Sequence, residues 1–196
     1  VIEAFACKLP DAYVAAMAAM DVPPVWINLE YLSAEDWVAG CHKLPSPHPR
    51  LPLTKHFFFP GFTRQTGGLL LERELLARRD ALQNDAPAQA EFWRGLGLQM
   101  PAADTLKVSL FAYENDALPS LFDVWAEGTQ VLLCLVPEGR IVPQVQAYFA
   151  AQAGFQKGNL RVQILPFVAQ SDYDTLLWAC DVNFVRGEDS CVRAQW

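Results

Sequence analysis

Three short segments carry the residue types that could do chemistry. The first is Arg186-Gly187-Glu188-Asp189-Ser190, directly after Asn183-Phe184-Val185. Gly187 permits a tight turn, and Asp189 and Ser190 suit the start of a helix. Arg186 adds a permanent cation whose planar fork matches phosphate oxygens. That combination outlines a diphosphate site, in which Glu188 could hold ribose or sugar hydroxyls. A surface turn closed by an Arg–Glu pair is the alternative. The second segment is Pro166-Phe167-Val168-Ala169-Gln170. Phe167 could stack on a flat base, worth roughly 1–3 kcal/mol by analogy with single-stranded nucleic acids, and Gln170 could read a base edge. On pattern alone, a core phenylalanine beside a solvated glutamine is the favoured alternative. The third is Phe111-Ala112-Tyr113-Glu114-Asn115, where the Tyr113 hydroxyl could donate to a phosphate or the ring could simply lie in the sheet.

Other residues argue against competing chemistries. His42, His48 and His56 are six and eight residues apart, no metal-binding signature, and read as solvated loop residues. Glu30, Glu35 and Asp36 read as cap and surface charges. No GxSxG, Walker A or GxGxxG motif occurs, which removes the commonest hydrolase, P-loop and dehydrogenase readings. The net charge of −7 opposes a sequence-independent grip on nucleic acid. No apolar run reaches the length of a membrane span. The five cysteines form no CxxC pair, so neither zinc nor a disulfide framework is indicated, and a reducing, cytoplasmic setting is expected.

The elements that must position these segments follow from periodicity. From Thr105 onward, strand-like alternation through Tyr113, a helical pattern over Pro119–Glu127, an apolar run at Val131–Val136 and a helix over Val142–Ala153 succeed one another. A strand at Arg161–Leu165, a helix over Ser171–Cys180 with Ser171 and Asp174 at capping-box spacing, a strand at Asp181–Val185 and a helix near Ser190 follow. Short strands alternating with helices predict right-handed βαβ units and a parallel, doubly wound sheet. Ligands of such sheets bind beyond the carboxyl ends of the strands, where all three segments lie. The first half predicts a strand at Val1–Ala6, a helix over Asp11–Met20, a strand at Val25–Leu29 and a short helix capped by Ser33. The proline-rich Cys41–Gly68 is expected to be irregular. Leu69–Arg79 reads as amphipathic, Asn84–Gln89 as a flexible surface turn. A domain boundary is expected near Met100–Asp104, giving units 1–103 and 104–196. The start at Val1 without a Met and the end at Trp196 read as a fragment, or the ordered part, of a longer protein.

Taken together, Asn28-Leu29-Glu30-Tyr31-Leu32-Ser33-Ala34-Glu35-Asp36-Trp37, Phe57-Phe58-Phe59-Pro60-Gly61-Phe62-Thr63 with Thr66-Gly67-Gly68, and Asn183-Phe184-Val185-Arg186-Gly187-Glu188-Asp189-Ser190 resemble the EarP family of bacterial protein-arginine rhamnosyltransferases. The resemblance implies a GT-B glycosyltransferase of two Rossmann-like domains, the N-terminal one incomplete here. It implies inverting, metal-independent transfer of rhamnose from dTDP-β-L-rhamnose to an arginine of translation elongation factor P, which activates that factor for ribosomes stalled at polyproline. No cofactor, nucleic acid or membrane partner is implied. Carried over by position, Phe167 stacks on thymine and Gln170 binds it. Tyr113, Arg186, Asp189 and Ser190 lie around the diphosphate, with Phe111 on the same strand end. Glu188 matches an acidic residue needed for activity. The aspartate serving as general base in the family lies upstream of the part resembling Val1. The alternatives are a fragment that only binds dTDP-sugar or elongation factor P, and another nucleotide-sugar glycosyltransferase, for instance one holding a divalent ion on Glu188 and Asp189.

Overall fold

The computed structural model describes residues 1–196 apart from the side chain of Ser171, so the serine half of the expected capping pair lies outside the described residues. The chain divides into two compact units, Val1–Leu71 and Glu72–Trp196.

In the first unit, β1 (Ile2–Ala4), α1 (Asp11–Ala18), β2 (Trp26–Leu29), α2 (Trp37–Cys41), β3 (Pro45–Pro47) and β4 (Thr54–Phe58) follow in chain order. The sheet runs β1-β2-β4-β3, with β1, β2 and β4 parallel and β3 antiparallel to β4. Val14, Met17, Trp26 and Leu53 form its core. The buried Glu3 carboxylate accepts from Trp26 Nε1 (3.0 Å) and pairs with Lys55 (3.3 Å), which offsets the cost of burying its charge.

Cys41–Gly68 is more ordered than its prolines suggest. β4 contains none, and β3 is an edge strand, where proline is tolerated because its missing donor falls outside the ladder. The flanking residues make the bonds instead: Phe57 N–H donates to Leu44 (3.2 Å) and His48 N–H to Leu53 (2.8 Å). Ser33 caps no helix. Its hydroxyl accepts from Glu35 N–H (3.1 Å) in the turn before α2.

The second unit contains α3 (Leu75–Gln83), α4 (Ala86–Gly95), β5 (Leu106–Leu110), α5 (Leu118–Glu127), β6 (Leu132–Pro137) and α6 (Val142–Tyr148). After these come β7 (Gln156–Lys157), β8 (Leu160–Leu165), α7 (Gln170–Ala179), β9 (Val182–Phe184) and α8 (Gly187–Arg193). The sheet order is β7-β8-β6-β5-β9, parallel except for the short β7 hairpin. Both sheets bear out the expected α/β architecture of mostly parallel strands.

All six residues of β6 are buried, as its unbroken apolar run requires of a central parallel strand. Strand alternation divides them between two faces. Leu132, Cys134 and Val136 join Val108, Phe122 and Val145 on one side. Leu133 and Leu135 meet Trp93, Leu98 and Leu176 on the other. That second cluster explains why residues 72–103 pack with this unit, although a division near residue 103 was expected. Asn84–Gln89 is no flexible turn. Asp85 caps α4 by accepting from Ala88 N–H (3.0 Å), and Pro87 sits in the first turn, two start signals for a helix.

The chain steps from β5 to β6 to β8, then α7 carries it back across the sheet to β9 on the far side of β5. The direction of winding therefore reverses at β5. Phe122, fully buried, fixes the α5 face. Phe122→Ala is expected to cost about 3–5 kcal/mol in urea unfolding of the protein; an unchanged midpoint would contradict this core assignment.

Candidate functional site

A cavity of about 410 Å³ opens at the carboxyl ends of β5, β6, β8 and β9. Its walls come from the loops that follow these strands, as expected where a doubly wound sheet reverses direction.

The β9 loop supplies its cation. Gly187 has φ +74°, a left-handed conformation that glycine adopts without steric cost, and α8 begins there. The sequence placed the helix start at Asp189 and Ser190. Ser190 is instead buried in the first turn, accepting from Arg186 N–H (3.0 Å) and donating to the Arg186 carbonyl. This reciprocal clasp fixes the backbone of Arg186.

The Arg186 side chain is held by two rings. Its guanidinium carbon lies 4.4 Å from the Phe111 centroid and 4.5 Å from the Tyr113 centroid. Arg186 forms no ion pair among the described residues, so the Arg–Glu surface pair is not formed. Stacking occupies the faces of a guanidinium and leaves its five N–H donors, which point outward in its plane, available to an anion. The loop after β6 completes this wall. A Cβ at Gly139 would lie 3.5 Å from the Phe111 ring and 3.8 Å from Arg186 Nη2.

Phe167, 82% exposed, lines the cavity with Gln170, Glu188 and Asp189. The core reading of Phe167 is thereby excluded, because its ring is presented to solvent on the β8 loop. The structure thus brings together every site residue expected from sequence. The sequence reading missed Glu138, Tyr173 and Arg193, which also line the cavity. The Pro137-Glu138-Gly139 turn directly after the apolar β6 run was a legible signal for the first. The other two project from helices, where nothing in the spacing marks them.

Asp174, expected as part of a cap, is almost fully buried. It accepts from Arg193 Nε (2.8 Å) and Nη2 (2.7 Å), while Arg193 Nη1 reaches Glu72. The bidentate pair ties α8 to α7. The Tyr173 ring packs edge-on against Phe111 (5.8 Å). Burial is the main cause that pushes the Tyr173 hydroxyl up to about 12, partly offset by the Arg186 charge. The hydroxyl makes no well-formed hydrogen bond among the described residues.

The histidines take structural parts. His42 Nδ1 accepts from Phe59 N–H (3.1 Å), and burial together with Lys43 lowers its pKa. His48 Nδ1 accepts from Arg50 and Leu51 N–H. No group of three or more His, Cys, Asp or Glu among the described residues could hold a metal ion, and no helix among them is long and apolar enough to cross a membrane.

Two predictions test this arrangement. Asp174→Ala removes the bidentate partner of Arg193 and leaves it only Glu72, and is expected to destabilise the protein by about 1–3 kcal/mol in denaturant unfolding; a change below the measurement error would show that α8 is held otherwise. The Tyr173 hydroxyl has a folded pKa above its ordinary value of 10.0. Its contribution to stability is therefore complete below pH 10 and lost as the pH rises toward 12. Tyr173→Phe should lose this alkaline decline without losing stability at neutral pH, as read by thermal melts across that range.

The family model for elongation-factor P (EF-P) rhamnosyltransferase EarP matches residues 1–196. The chain is 56% identical over 202 residues to the protein-arginine rhamnosyltransferase of Pseudomonas putida, covering 100% of this chain and 53% of that protein. It is 46% identical over 210 residues to the protein-arginine rhamnosyltransferase of Shewanella oneidensis, with the same two shares covered. A solved structure described as "Structural basis for EarP-mediated arginine glycosylation of translation elongation factor EF-P" matches with a TM-score of 0.69 at 40% identity, over 97% of this chain and 53% of that one. The chain thus spans about half the length of the relatives it matches, and its α/β fold is of the GT-B glycosyltransferase class. Matched from end to end, the chain belongs to the EarP family of elongation-factor P rhamnosyltransferases.

Proposed function

We propose that this chain supplies the donor site of an enzyme that transfers rhamnose from dTDP-β-L-rhamnose to an arginine side chain of translation elongation factor P. The observation that carries the reading is Arg186, stacked between Phe111 and Tyr113 and unpaired with any carboxylate among the described residues. In this reading the guanidinium edge binds the diphosphate. Phe167 stacks on thymine and Gln170 reads its edge. Glu188 sits where ribose and sugar hydroxyls would lie, and Asp189 and Ser190 flank the phosphates.

The chemistry sets what such a site must do. An arginine acceptor is delocalised and protonated at neutral pH, hence a weak nucleophile. A carboxylate has to orient it and take a proton as its nitrogen attacks the anomeric carbon; the resemblance assigns that part to an aspartate upstream of the region matching Val1. Attack from the face opposite the leaving group inverts the anomeric centre. The departing dTDP gathers negative charge on its phosphate oxygens, which a fixed Arg186 stabilises without needing to reorganise. The reading includes turnover without a divalent ion, so full activity in excess chelator is expected. The relatives named as protein-arginine rhamnosyltransferases support the transfer and its acceptor residue. Elongation factor P as acceptor is supported by the solved relative's description.

Arg186→Lys keeps the charge but loses the fork and the stacking plane. It is expected to weaken dTDP-rhamnose binding at least tenfold by calorimetry on the full-length protein; unchanged affinity would contradict the reading. Intact-mass analysis of elongation factor P incubated with enzyme and donor should show one deoxyhexose on arginine. An unmodified factor would leave a binding protein without turnover.

A further inference from the structure

The loop leaving β6 carries a second cation to which the reading above gives no part. Arg140 is exposed, and its guanidinium carbon lies 5.8 Å from the centroid of the Tyr113 ring. Arg186 lies 4.5 Å from the same centroid. The two distances together hold the charges within about 10 Å of each other, about one Debye length at 0.1 M salt. Like Arg186, Arg140 forms no ion pair among the described residues. Arg193, the remaining arginine of the cavity, is already neutralised by Asp174 and Glu72.

Charge balance makes Arg140 significant. Glu138 and Asp189 line the cavity, so Arg186 alone does not leave its rim positive. A diphosphate brings at least two further negative charges, and one guanidinium cannot offset that field. Arg140 stands beside this rim without an ion pair among the described residues, one residue beyond Gly139, where a Cβ would lie 3.8 Å from Arg186 Nη2.

We propose that Arg140 is a second phosphate-binding residue of this site, sharing the Tyr113 ring with Arg186 and closing on the outer side of the diphosphate. The inference rests on the diphosphate reading of the cavity. Arg186 is the fixed member of the pair, its backbone clasped by Ser190 and its side chain flanked by two rings. Arg140 is the movable member, because an exposed side chain with a single ring contact can swing without unpacking the core. A contribution of this kind depends on net charge more than on a bidentate fork, so lysine should substitute for it in part.

The test compares binding of dTDP and of thymidine, by calorimetry at low and at high salt, for the full-length wild type, Arg140→Gln, Arg140→Lys and Arg186→Gln. Arg140→Gln is expected to weaken dTDP binding roughly tenfold at low salt and less at high salt, while thymidine binding and the melting temperature stay unchanged. Arg140→Lys should recover part of the loss. Wild-type dTDP affinity in Arg140→Gln, alongside a loss in Arg186→Gln, would overturn this inference and leave the diphosphate reading intact. Equal losses for dTDP and thymidine in Arg140→Gln would also overturn it, since phosphate would then not be what Arg140 senses. Wild-type affinity in both glutamine variants would overturn the diphosphate reading itself.

Discussion

A guanidinium clamped between two aromatic rings is the contact around which the second unit is organised. Water would otherwise solvate Arg186 and let its long side chain sample many rotamers. Phe111 and Tyr113 at 4.4 and 4.5 Å replace that solvation with ring faces and keep the fork in one plane. The ordering is done when the protein folds, so a ligand meets a cation already in place. The loop after β6 runs alongside this device: a Cβ at Gly139 would meet the Phe111 ring at 3.5 Å and Arg186 Nη2 at 3.8 Å, both ordinary contact distances.

The clamp exists only if β5 and β9 keep their register. Leu110 lies opposite Phe184, and Phe111 N–H donates to the Phe184 carbonyl (3.0 Å), which sets the stacking ring beside the strand that leads to Arg186. A slip of one residue would turn each side chain to the opposite face of the sheet. β9 is a short edge strand, and such a strand holds its register poorly by backbone pairing alone. Side chains supply what it lacks. Ser109 donates to Asn183 (2.5 Å), whose amide donates to the Leu177 carbonyl (3.1 Å). Asp181 accepts from the Lys107 backbone N–H and pairs with its ammonium. Beyond the strand, the buried Asp174–Arg193 pair anchors α8.

How much of this was legible in the sequence depends on the kind of signal. The β6 run is apolar at every position and bounded by turn residues, so it reads as a central strand in any context. The alternation in β5 and the Arg186-Gly187 turn are equally local, and the pocket residues at the ends of β5, β8 and β9 followed from them. What escaped depended on contacts distant in sequence. Residues 72–103 join the second unit because Trp93 and Leu98 reach Leu133, Leu135 and Leu176, which no local pattern reveals. Pro45 and Pro47 look like strand breakers until β3 is known to be an edge. Asp174 looked like a cap because its position fits one, yet its partner lies on another helix. Phe167 was ambiguous for a different reason. A ring after a strand reads the same whether it turns inward or outward, and only its exposure separates the two.

The central claim is that the Arg186 clamp holds a diphosphate whose thymine lies against Phe167. A crystal structure of the full-length protein with dTDP tests it most directly. The account predicts phosphate density at the guanidinium edge beside Phe111 and Tyr113, and a pyrimidine ring parallel to Phe167. Nucleotide density in any other part of the protein, with this cavity left vacant, would contradict it.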